Sequence, residues 1–249
     1  MQNRAVEPAE YQLMDEAADG LWWYRALHAR VLDALDPRLA ATGPVLDAGC
    51  GTGGFLARLR RARPDDRAMG LEFNPEAAAR ARAKAGVPVA VGSVNAVPFA
   101  DAAFGGLVSL DVLGHAAAQP DRAVAEFHRV LRPGGLLVVN LPAFQWLRSA
   151  HDIRVHNARR FTAGGVRALL AGAGFSDIQT RYWNSLLFPL MVLQRKVLAR
   201  GAGSASDVSL PPPWLNRGLH AATGLERRAA AAGLRFPAGG SVLATAIRP

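Results

Sequence analysis

Cysteine is almost absent from this chain of 249 residues, in which Cys50 is the single thiol. One cysteine excludes an internal disulfide and a cysteine metal cluster, and we expect no metal site. Long apolar runs are also absent, because the longest, residues 186–193, contains Pro189 and is far shorter than the ~18 residues of a membrane-spanning helix. The first residues include no apolar segment of the kind that a secretory signal requires. These absences predict a cytoplasmic protein.

Lysine is the second scarce residue, because 27 of the 29 basic side chains are arginine. The net charge of +9 is uneven: residues 1–150 hold 16 basic and 16 acidic side chains, whereas residues 151–249 hold 13 and 4. Clustered arginine attracts carboxylates and phosphates, so the C-terminal part is a candidate surface for an acidic substrate or an anionic membrane. The base composition of the gene explains the arginine excess equally well, and both interpretations stay open.

Glycine, in contrast, is concentrated where a strand should end. Residues 45–48 read as a short apolar strand, and glycines follow at positions 49, 51, 53 and 54. Glycine tolerates a positive φ and lets a ligand lie against bare backbone, so this stretch predicts a tight turn beneath a ligand. The next residues, 55–61, read as a helix whose N-terminal amides would point at that ligand.

The spacing of these glycines separates two classes of nucleotide-containing ligand. Dinucleotide-binding proteins use G-x-G-x-x-G, which is met only by Gly49, Gly51 and Gly54. The pattern D-x-G-x-G-x-G is met by Asp47, Gly49, Gly51 and Gly53. In this the chain resembles the first motif of class I S-adenosylmethionine-dependent methyltransferases. The resemblance implies an α/β fold with a doubly wound, Rossmann-like sheet of seven strands, helices on both faces and an antiparallel last strand, which binds S-adenosylmethionine and releases S-adenosylhomocysteine.

An acidic residue, Glu72, follows the second predicted strand at residues 68–71. It lies 25 residues after Asp47, a position from which a carboxylate accepts hydrogen bonds from both ribose hydroxyls of an adenosine. We therefore expect the cofactor to contact Glu72 and its neighbour Phe73, in addition to the turn that contains Cys50.

Two later segments resemble the same family with departures. The family has an aspartate after the third strand that contacts the adenine amine, and Ser93 replaces it here. We expect the Ser93 hydroxyl or the Val94 backbone to contact the adenine edge instead. The fourth strand, residues 105–110, ends at Asp111 and Val112, which the resemblance places beside the transferable methyl group.

The sequence L-R-P-G-G at residues 131–135, before the apolar residues 136–141, is the stretch most characteristic of this family. Proline stops the preceding helix, and the two glycines turn the chain into the fifth strand. With this piece, the resemblance covers residues 43–141.

Candidate catalytic residues follow the fifth strand. The stretch that contains His151, His156, Arg159 and Arg160 resembles an H-D-x-x-x-H-x-x-R-R-(Y/F)-T segment of a bacterial subset of the family. Either histidine is a candidate general base for a protonated acceptor, and either arginine is a candidate to hold an acidic acceptor. The same histidines could instead be structural hydrogen-bonding groups. His115, after the fourth strand, is a further candidate for substrate contact.

The N-terminal segment contains three consecutive aromatic residues at positions 22–24. Consecutive side chains cannot all face one side of a helix, so at least one faces a cleft or solvent. The aromatic residues either pack a helix onto the sheet or form a lid over the cofactor pocket, in which Tyr24 would contact the substrate.

Half of the residues are hydrophobic and 20% are charged, which predicts one packed domain with embellishments. Its expected parts are a helical lid (1–42), a cofactor-binding core (43–183), a hydrophobic helical insertion at the substrate side or an interface (184–239) and a closing strand (240–249). Within the insertion, residues 201–206 read as a flexible linker and residues 211–214 as a rigid turn.

The leading functional hypothesis is methyl transfer to a small-molecule or lipid-like, acidic acceptor, as in methyltransferases similar to those of ubiquinone and menaquinone biosynthesis. Oxygen is slightly preferred because His151 offers a base. The alternatives are a protein of the same fold that binds the cofactor without methyl transfer, as a regulator or rearrangement catalyst, and an NAD-dependent dehydrogenase. We expect no nucleic-acid partner, because residues 109–112 lack the Asp/Asn-Pro-Pro-aromatic stretch of amine-methylating nucleic-acid enzymes. A homodimer and peripheral membrane contact stay open.

Overall fold

The computed structural model describes residues 20–35, 43–149, 152–153, 155–196 and 211–249. The candidate base His151 and the predicted linker at residues 201–206 lie outside these described residues, as does most of the predicted lid ahead of residue 20.

The described residues form both helices and strands. Their bounds are α1 (Trp22–Ala34), β1 (Val45–Ala48), α2 (Gly54–Ala62), β2 (Ala68–Glu72), α3 (Pro75–Ala85), β3 (Val89–Val91), β4 (Phe104–Leu110), α4 (Pro120–Val130), β5 (Leu131–Pro142), α5 (Ala163–Gly172), β6 (Ser176–Trp183), α6 (Phe188–Lys196), α7 (Pro213–Ala231) and β7 (Ser241–Ile247). A short 3-10 helix, Gln145–Leu147, follows β5.

The seven strands form one sheet in the order β3-β2-β1-β4-β5-β7-β6. β1 to β5 pair in parallel, and β7 is antiparallel to both of its neighbours. This confirms the predicted doubly wound sheet and its antiparallel last strand. The strand order reverses between β1 and β4, and the carboxyl ends of parallel strands at such a point form a crevice for ligands.

Two apolar clusters cover the two faces of the sheet. Leu46 packs on one face with residues of α4 and α5, of which Phe127 is among the largest fully buried side chains. Val45, its neighbour in β1, packs on the other face with α1, α2 and α3. Because successive side chains of a strand point to opposite faces, one apolar strand contributes to both clusters. The clusters fix the strand ends from which the site residues project.

The helix after β2 begins with a side-chain cap. The Asn74 side chain accepts hydrogen bonds from the backbone N–H groups of Glu76 and Ala77 at 2.8 and 3.0 Å, and Pro75 occupies the first turn. The helix ends at Gly86, whose φ is +64°. These local signals hold β2 and its terminal Glu72 in a defined register.

The C-terminal part differs from the predicted rigid turn at residues 211–214, because α7 begins at Pro213. Proline suits the first turn of a helix, where its missing N–H costs no hydrogen bond. The Asn216 side chain accepts from the Trp22 backbone N–H at 2.8 Å and donates to the Gly20 carbonyl at 2.8 Å, so α7 packs along α1. No helix in the described ranges is long and apolar enough to cross a bilayer.

A buried ion pair joins these two helices. Arg30 of α1 lies 3.2 Å from Glu226 of α7, whose side chain is 1% exposed. The Glu226 carboxylate also accepts hydrogen bonds from the backbone N–H groups of Asn184, Ser185 and Leu186, at 2.7, 2.6 and 3.0 Å. Glu226 therefore fixes the chain where it leaves β6.

Candidate functional site

The glycine turn after β1 is held open to the outside of the protein. The φ values of Gly49, Gly51 and Gly53 are +86°, +55° and +85°, a region that side chains other than glycine rarely adopt. A Cβ built at Gly49 would overlap Val112, whereas one built at Gly51 would meet nothing within 4 Å. The turn therefore needs glycine at each position and presents bare backbone to a ligand around Gly51.

Glu72 points toward this turn. One oxygen of its carboxylate accepts a hydrogen bond from the Gly51 backbone N–H at 2.9 Å, and the other accepts from the Asn74 N–H at 2.9 Å. Burial raises the pKa of Glu72, while these backbone donors act in the opposite direction. Each oxygen has a second lone pair, so the carboxylate can still accept hydrogen bonds from a ligand hydroxyl.

Asp47, in β1, is a buried carboxylate that lacks a hydrogen-bond partner for one of its oxygens among the described residues. Its side chain is 1% exposed, and its Oδ1 has no hydrogen-bond partner among the described residues. Burial, and next the charge of Glu72, raise the pKa of Asp47 to about 8. A buried charge that lacks partners destabilises the folded protein, so the ionised Asp47 lowers the free energy of unfolding.

We predict that Asp47→Asn stabilises the cofactor-free protein at alkaline pH. Because the folded-state pKa of Asp47 is raised, its contribution to stability is fully present below the unfolded pKa of about 4 and is lost progressively as the pH rises toward about 8. The variant should match the wild type near pH 4 and should exceed it by roughly 2–5 kcal/mol at about pH 9 in denaturant unfolding. Asp65→Asn, at an exposed position, is the control. An equal change at both pH values would contradict the assignment.

The loop after β4 forms the second wall of the turn, because Val112 is the residue that a Cβ at Gly49 would meet. Asp111 has a φ of +59°. Its backbone N–H donates to the Asn140 carbonyl at 2.8 Å, and its carboxylate accepts from the Asn140 side chain at 3.0 Å. Two hydrogen bonds between Asp111 and Asn140 of β5 thus fix the position of Asp111.

A cavity of about 210 Å³ lies beside this loop. Its lining residues are Ala116, Arg148, Asp152, Ile153, His156, Asn157 and Ala158. They come from the segments that follow β4 and β5, so the cavity lies at the same carboxyl edge of the sheet as the glycine turn.

Two of the predicted substrate-side histidines meet at this cavity. The rings of His115 and His156 lie 6.0 Å apart, edge to face. Nδ1 of His115 accepts a hydrogen bond from the Ala117 backbone N–H at 3.2 Å. Burial, then His156 and Arg159, lower the pKa of His115. The neutral ring therefore carries its proton on Nε2, which can donate to a substrate but cannot act as a base.

Arg159 and Arg160 both make hydrogen bonds within the loops beside the cavity. The Arg160 guanidinium donates two hydrogen bonds to Asp152, both at 3.0 Å, and its side chain is buried. Arg159 donates to the carbonyls of His115 and Ala118, at 3.1 and 2.9 Å. The Arg160 guanidinium neutralises a buried aspartate, and its predicted contact with an acceptor stays a prediction. Arg159 is committed to joining the two loops, and any contact of Arg159 with an acceptor stays a prediction.

Asp152 is the centre of this loop structure. Burial opposes its ionisation, but Arg160 and hydrogen bonds from Ser149 and Asn157 lower the pKa of Asp152. Arg195 of α6 lies 3.8 Å from the same carboxylate. Asp152 thus anchors both the cavity wall and α6.

Comparison with known proteins settles the family. A protein-family model described as a methyltransferase domain matches residues 46–139. A malonyl-acyl-carrier-protein O-methyltransferase from Dechloromonas aromatica is 34% identical over 195 residues, which cover 74% of this chain and 71% of that protein. The chain belongs to the class I S-adenosylmethionine-dependent methyltransferases.

Other members of this methyltransferase family match to different extents. A ubiquinone/menaquinone biosynthesis C-methyltransferase from Rubrivivax gelatinosus is 30% identical over 193 residues, which cover 65% of this chain and 74% of that protein. The chain spans only 44%, 30% and 61% of the length of three further curated relatives. A solved S-adenosylmethionine-dependent methyltransferase from Thermotoga maritima shares the fold, with a TM-score of 0.62, 18% identity and coverage of 97% of this chain and 95% of that one.

The cofactor of this methyltransferase family fits the turn. Around Gly51 the backbone is open, the carboxylate of Glu72 faces the turn, and Oδ1 of Asp47 lacks a partner among the described residues. Each of these features suits the adenosyl and amino-acid parts of S-adenosylmethionine. Family membership also removes the dehydrogenase alternative.

The predicted contacts with the adenine part of the cofactor stay predictions, and the structure gives the positions of the residues concerned. Phe73 follows Glu72 with 49% of its side chain exposed, so its ring is available to stack on an adenine. The Ser93 hydroxyl accepts from the Asn95 backbone N–H at 3.1 Å and can still donate its own proton. The Val94 side chain is buried, which leaves its backbone as the candidate contact.

Cys50 has a structural position in the turn. Its side chain is buried, and a Cβ built at Gly70 would come within 2.8 Å of the sulfur. Burial raises the pKa of the Cys50 thiol, so the thiol stays protonated. Its predicted cofactor contact is therefore limited to the backbone.

Tyr24 lies in a row of aromatic rings on α1. Its ring is 5.0 Å from Trp23 and 6.1 Å from His28, and His28 is 5.5 Å from Phe55 in the first turn of α2. Trp23 stacks on Trp183 at the end of β6, 5.9 Å away. These contacts place α1 against the cofactor turn, and the contact of Tyr24 with a substrate stays a prediction.

Three site residues escape prediction from the sequence. Arg148 lines the cavity but lies outside the histidine and arginine pattern. Asn140 is the single polar residue of the apolar run at residues 136–141, which is a usable signal. Trp183, its hydrogen-bond partner, lies 43 residues away, and no local pattern connects the two.

Proposed function

We propose that this protein transfers a methyl group from S-adenosylmethionine to an acidic oxygen of a small-molecule or lipid-like acceptor. The observation that supports this most is the position of two features at one edge of the sheet. The open glycine turn with Glu72 provides the cofactor site, and the cavity with Arg148 and His156 provides room for an acceptor.

The relatives leave the methylated atom open, because one is named an O-methyltransferase and another a C-methyltransferase. The cavity favours oxygen. Arg148 is exposed and lines the cavity, so its guanidinium can bind a carboxylate. The Nε2 proton of His115 provides a further donor next to His156.

Methyl transfer requires little of the protein beyond the alignment of the methyl donor with the acceptor. When bound, S-adenosylmethionine supplies an electrophilic methyl group on a sulfonium sulfur. The chain must hold an acceptor oxygen in line with that group and exclude water. A carboxylate is already ionised and needs no base, whereas a hydroxyl acceptor would give its proton to His156.

The surface beside the cavity suits an acceptor with an apolar part. Arg195 of α6 donates to the Leu147 carbonyl at 2.9 Å and approaches Asp152, so α6 is anchored at the cavity wall. Leu190 and Leu193, three residues apart on this helix, are both exposed. An aliphatic chain that leaves the cavity would lie against these leucines.

A methyl-label assay tests this proposal. The protein is incubated with methyl-tritiated S-adenosylmethionine and a panel of fatty acids, dicarboxylic acids, phenols and quinols, and the products are treated with base. We expect label in a methyl ester that base releases as methanol. Arg148→Ala should lower kcat/KM by roughly 10-fold or more through KM, and Arg228→Ala, at an exposed site on α7, should change it little.

Two results would contradict this proposal. Base-stable label that is insensitive to Arg148→Ala would exclude a methyl ester and would assign methylation to carbon, nitrogen or a phenolic oxygen. Binding of S-adenosylhomocysteine without label transfer to any acceptor in the panel would favour the alternative of a cofactor-binding protein without methyl transfer.

A further inference from the structure

A chain of hydrogen bonds runs from the end of β6 to the end of β4. Nε1 of Trp183 donates to Oδ1 of Asn140 at 2.7 Å, and Nδ2 of Asn140 donates to Oδ1 of Asp111 at 3.0 Å. Trp183 and Asn140 are both buried, and Asp111 is partly exposed at the carboxyl edge of the sheet. This series of hydrogen bonds therefore ends at the loop after β4, which forms one wall of the cofactor turn.

The donors and acceptors of these three side chains allow only one orientation of the hydrogen bonds between them. The indole N–H can only donate a hydrogen bond, so it fixes the Asn140 amide with its oxygen toward Trp183. The amide NH₂ must then face Asp111, where it is satisfied by an ionised carboxylate. An Asn140 without the indole donor could rotate its amide and present an oxygen to the carboxylate instead.

Trp183 is itself held from two sides. Trp23 stacks on its ring, and the Arg30 guanidinium lies 4.7 Å from the ring centre. Arg30 is in turn paired with Glu226 of α7. The donor at the start of the hydrogen-bond chain is therefore fixed by α1 and α7.

We propose that Asn140 and Trp183 are positioning residues that hold the Asp111 carboxylate, ionised, against the amino group of the bound cofactor. This inference rests on the cofactor site and is independent of the acceptor. Asp111 follows β4 directly, and its neighbour Val112 packs on Gly49 of the cofactor turn. A carboxylate at this wall would face the ammonium group at the amino-acid end of S-adenosylmethionine and of S-adenosylhomocysteine.

The charges around Asp111 set the pH at which it acts. Burial raises its pKa to about 7, the Asn140 hydrogen bond and Arg160 counteract this rise, and Asp152 adds to it. The carboxylate is thus ionised above about pH 7 and is protonated below it. On β1, Asp47 also titrates near the turn, with its pKa raised to about 8. Variants of Asn140 separate the two carboxylates, because Asn140 bonds to Asp111 alone of the two.

The test compares two ligands that differ at the amino-acid end. S-Adenosylhomocysteine carries the amino group, whereas 5′-methylthioadenosine has the same adenosine and no charge. Calorimetric titration of the wild type, Trp183→Phe, Asn140→Leu and Asp111→Asn is carried out from about pH 5.5 to about pH 8.5, a range that spans the titration of Asp111. Trp183→Phe retains an aromatic ring next to Trp23 and Arg30 and removes only the N–H donor.

We expect S-adenosylhomocysteine to bind the wild type more weakly as the pH falls through about 7. Trp183→Phe and Asn140→Leu should weaken it roughly 3- to 10-fold at neutral pH and move the midpoint to higher pH. Binding of 5′-methylthioadenosine should be equal in all four proteins. Trp214→Phe, at a side chain that is 71% exposed, should match the wild type with both ligands.

The double variant Asp111→Asn/Trp183→Phe makes the inference falsifiable even if single variants lose stability. Because Trp183 acts through Asp111, the double variant should bind S-adenosylhomocysteine no more weakly than Asp111→Asn alone. Additive losses would overturn the inference. Equal loss of both ligands in Trp183→Phe, or no loss of either, would overturn it too.

Discussion

Replacing Glu72 with alanine is expected to weaken S-adenosylhomocysteine binding by roughly 100-fold, which corresponds to about 2.7 kcal/mol. The Glu72 carboxylate supports the ligand in two ways. It accepts from the Gly51 N–H at 2.9 Å and so shapes the cofactor turn, and its remaining lone pairs can accept hydrogen bonds from the ribose hydroxyls. Hydrogen bonds to a charged group are the stronger class, and two of them account for this loss. Calorimetric titration measures the change.

A matched control for this variant is Glu76→Ala, four residues further along the chain at an exposed position in the first turn of α3. It should leave the affinity within about 2-fold of the wild type, because exposed charges contribute little. Glu72→Ala should also unfold as cooperatively as the wild type, since it removes a carboxylate whose pKa burial raises. An affinity within a few-fold of the wild type would mean that Glu72 does not contact the ribose.

Replacing Glu226 with alanine is expected to lower the free energy of unfolding by about 3–5 kcal/mol. The change leaves the Arg30 guanidinium buried without its counter-charge. It also removes the acceptor for three backbone N–H groups, at Asn184, Ser185 and Leu186. Denaturant unfolding measures this loss of stability, which should be among the largest that the replacement of one buried side chain produces.

Two further variants isolate the cause of this loss. Asp33→Ala breaks the other ion pair between α1 and α7, in which Asp33 is 53% exposed and lies 2.9 Å from Arg227. It should cost less than about 1 kcal/mol because exposed pairs are screened. Arg30→Met should cost less than Glu226→Ala, since the carboxylate keeps its three backbone donors. A larger effect of Arg30→Met would show that the charge pair, and not the capping of the chain after β6, dominates.

Local sequence signals were sufficient for the sheet and for the cofactor turn. Each strand that they predicted is present, because apolar runs bounded by glycine and proline specify both the element and its end. The glycines after β1 have the positive φ values that their spacing indicates. Asp47 and Glu72 both lie beside this turn, and their contacts with the cofactor stay predictions.

The acceptor side could not be predicted in the same way, because its partners are distant or their roles are ambiguous. Arg160 is found in a motif that suits an anion-binding arginine, but its counter-charge is Asp152 within the same motif. Sequence alone does not distinguish an arginine that binds a substrate from one that neutralises a buried carboxylate. Only the fold shows that Arg148, and not Arg160, reaches the cavity.

The connections behind the site depend on long-range pairing. Glu226 is the single acidic residue after Asp207, which marks it as unusual but gives no partner. Its pairing with Arg30 spans 196 positions of the chain. Asn140 likewise stands out in an apolar run, but its two side-chain partners come from the loop after β4 and from β6. Such pairs follow from strand order and helix packing, which local patterns do not encode.

The most direct test of the cofactor site is calorimetric titration of the wild-type protein with S-adenosylhomocysteine and, separately, with NAD. We predict saturable binding of S-adenosylhomocysteine at one site per chain and no saturable binding of NAD. Saturable binding of NAD, with no heat from S-adenosylhomocysteine, would contradict the assignment of the glycine turn and Glu72 to an adenosyl sulfonium cofactor.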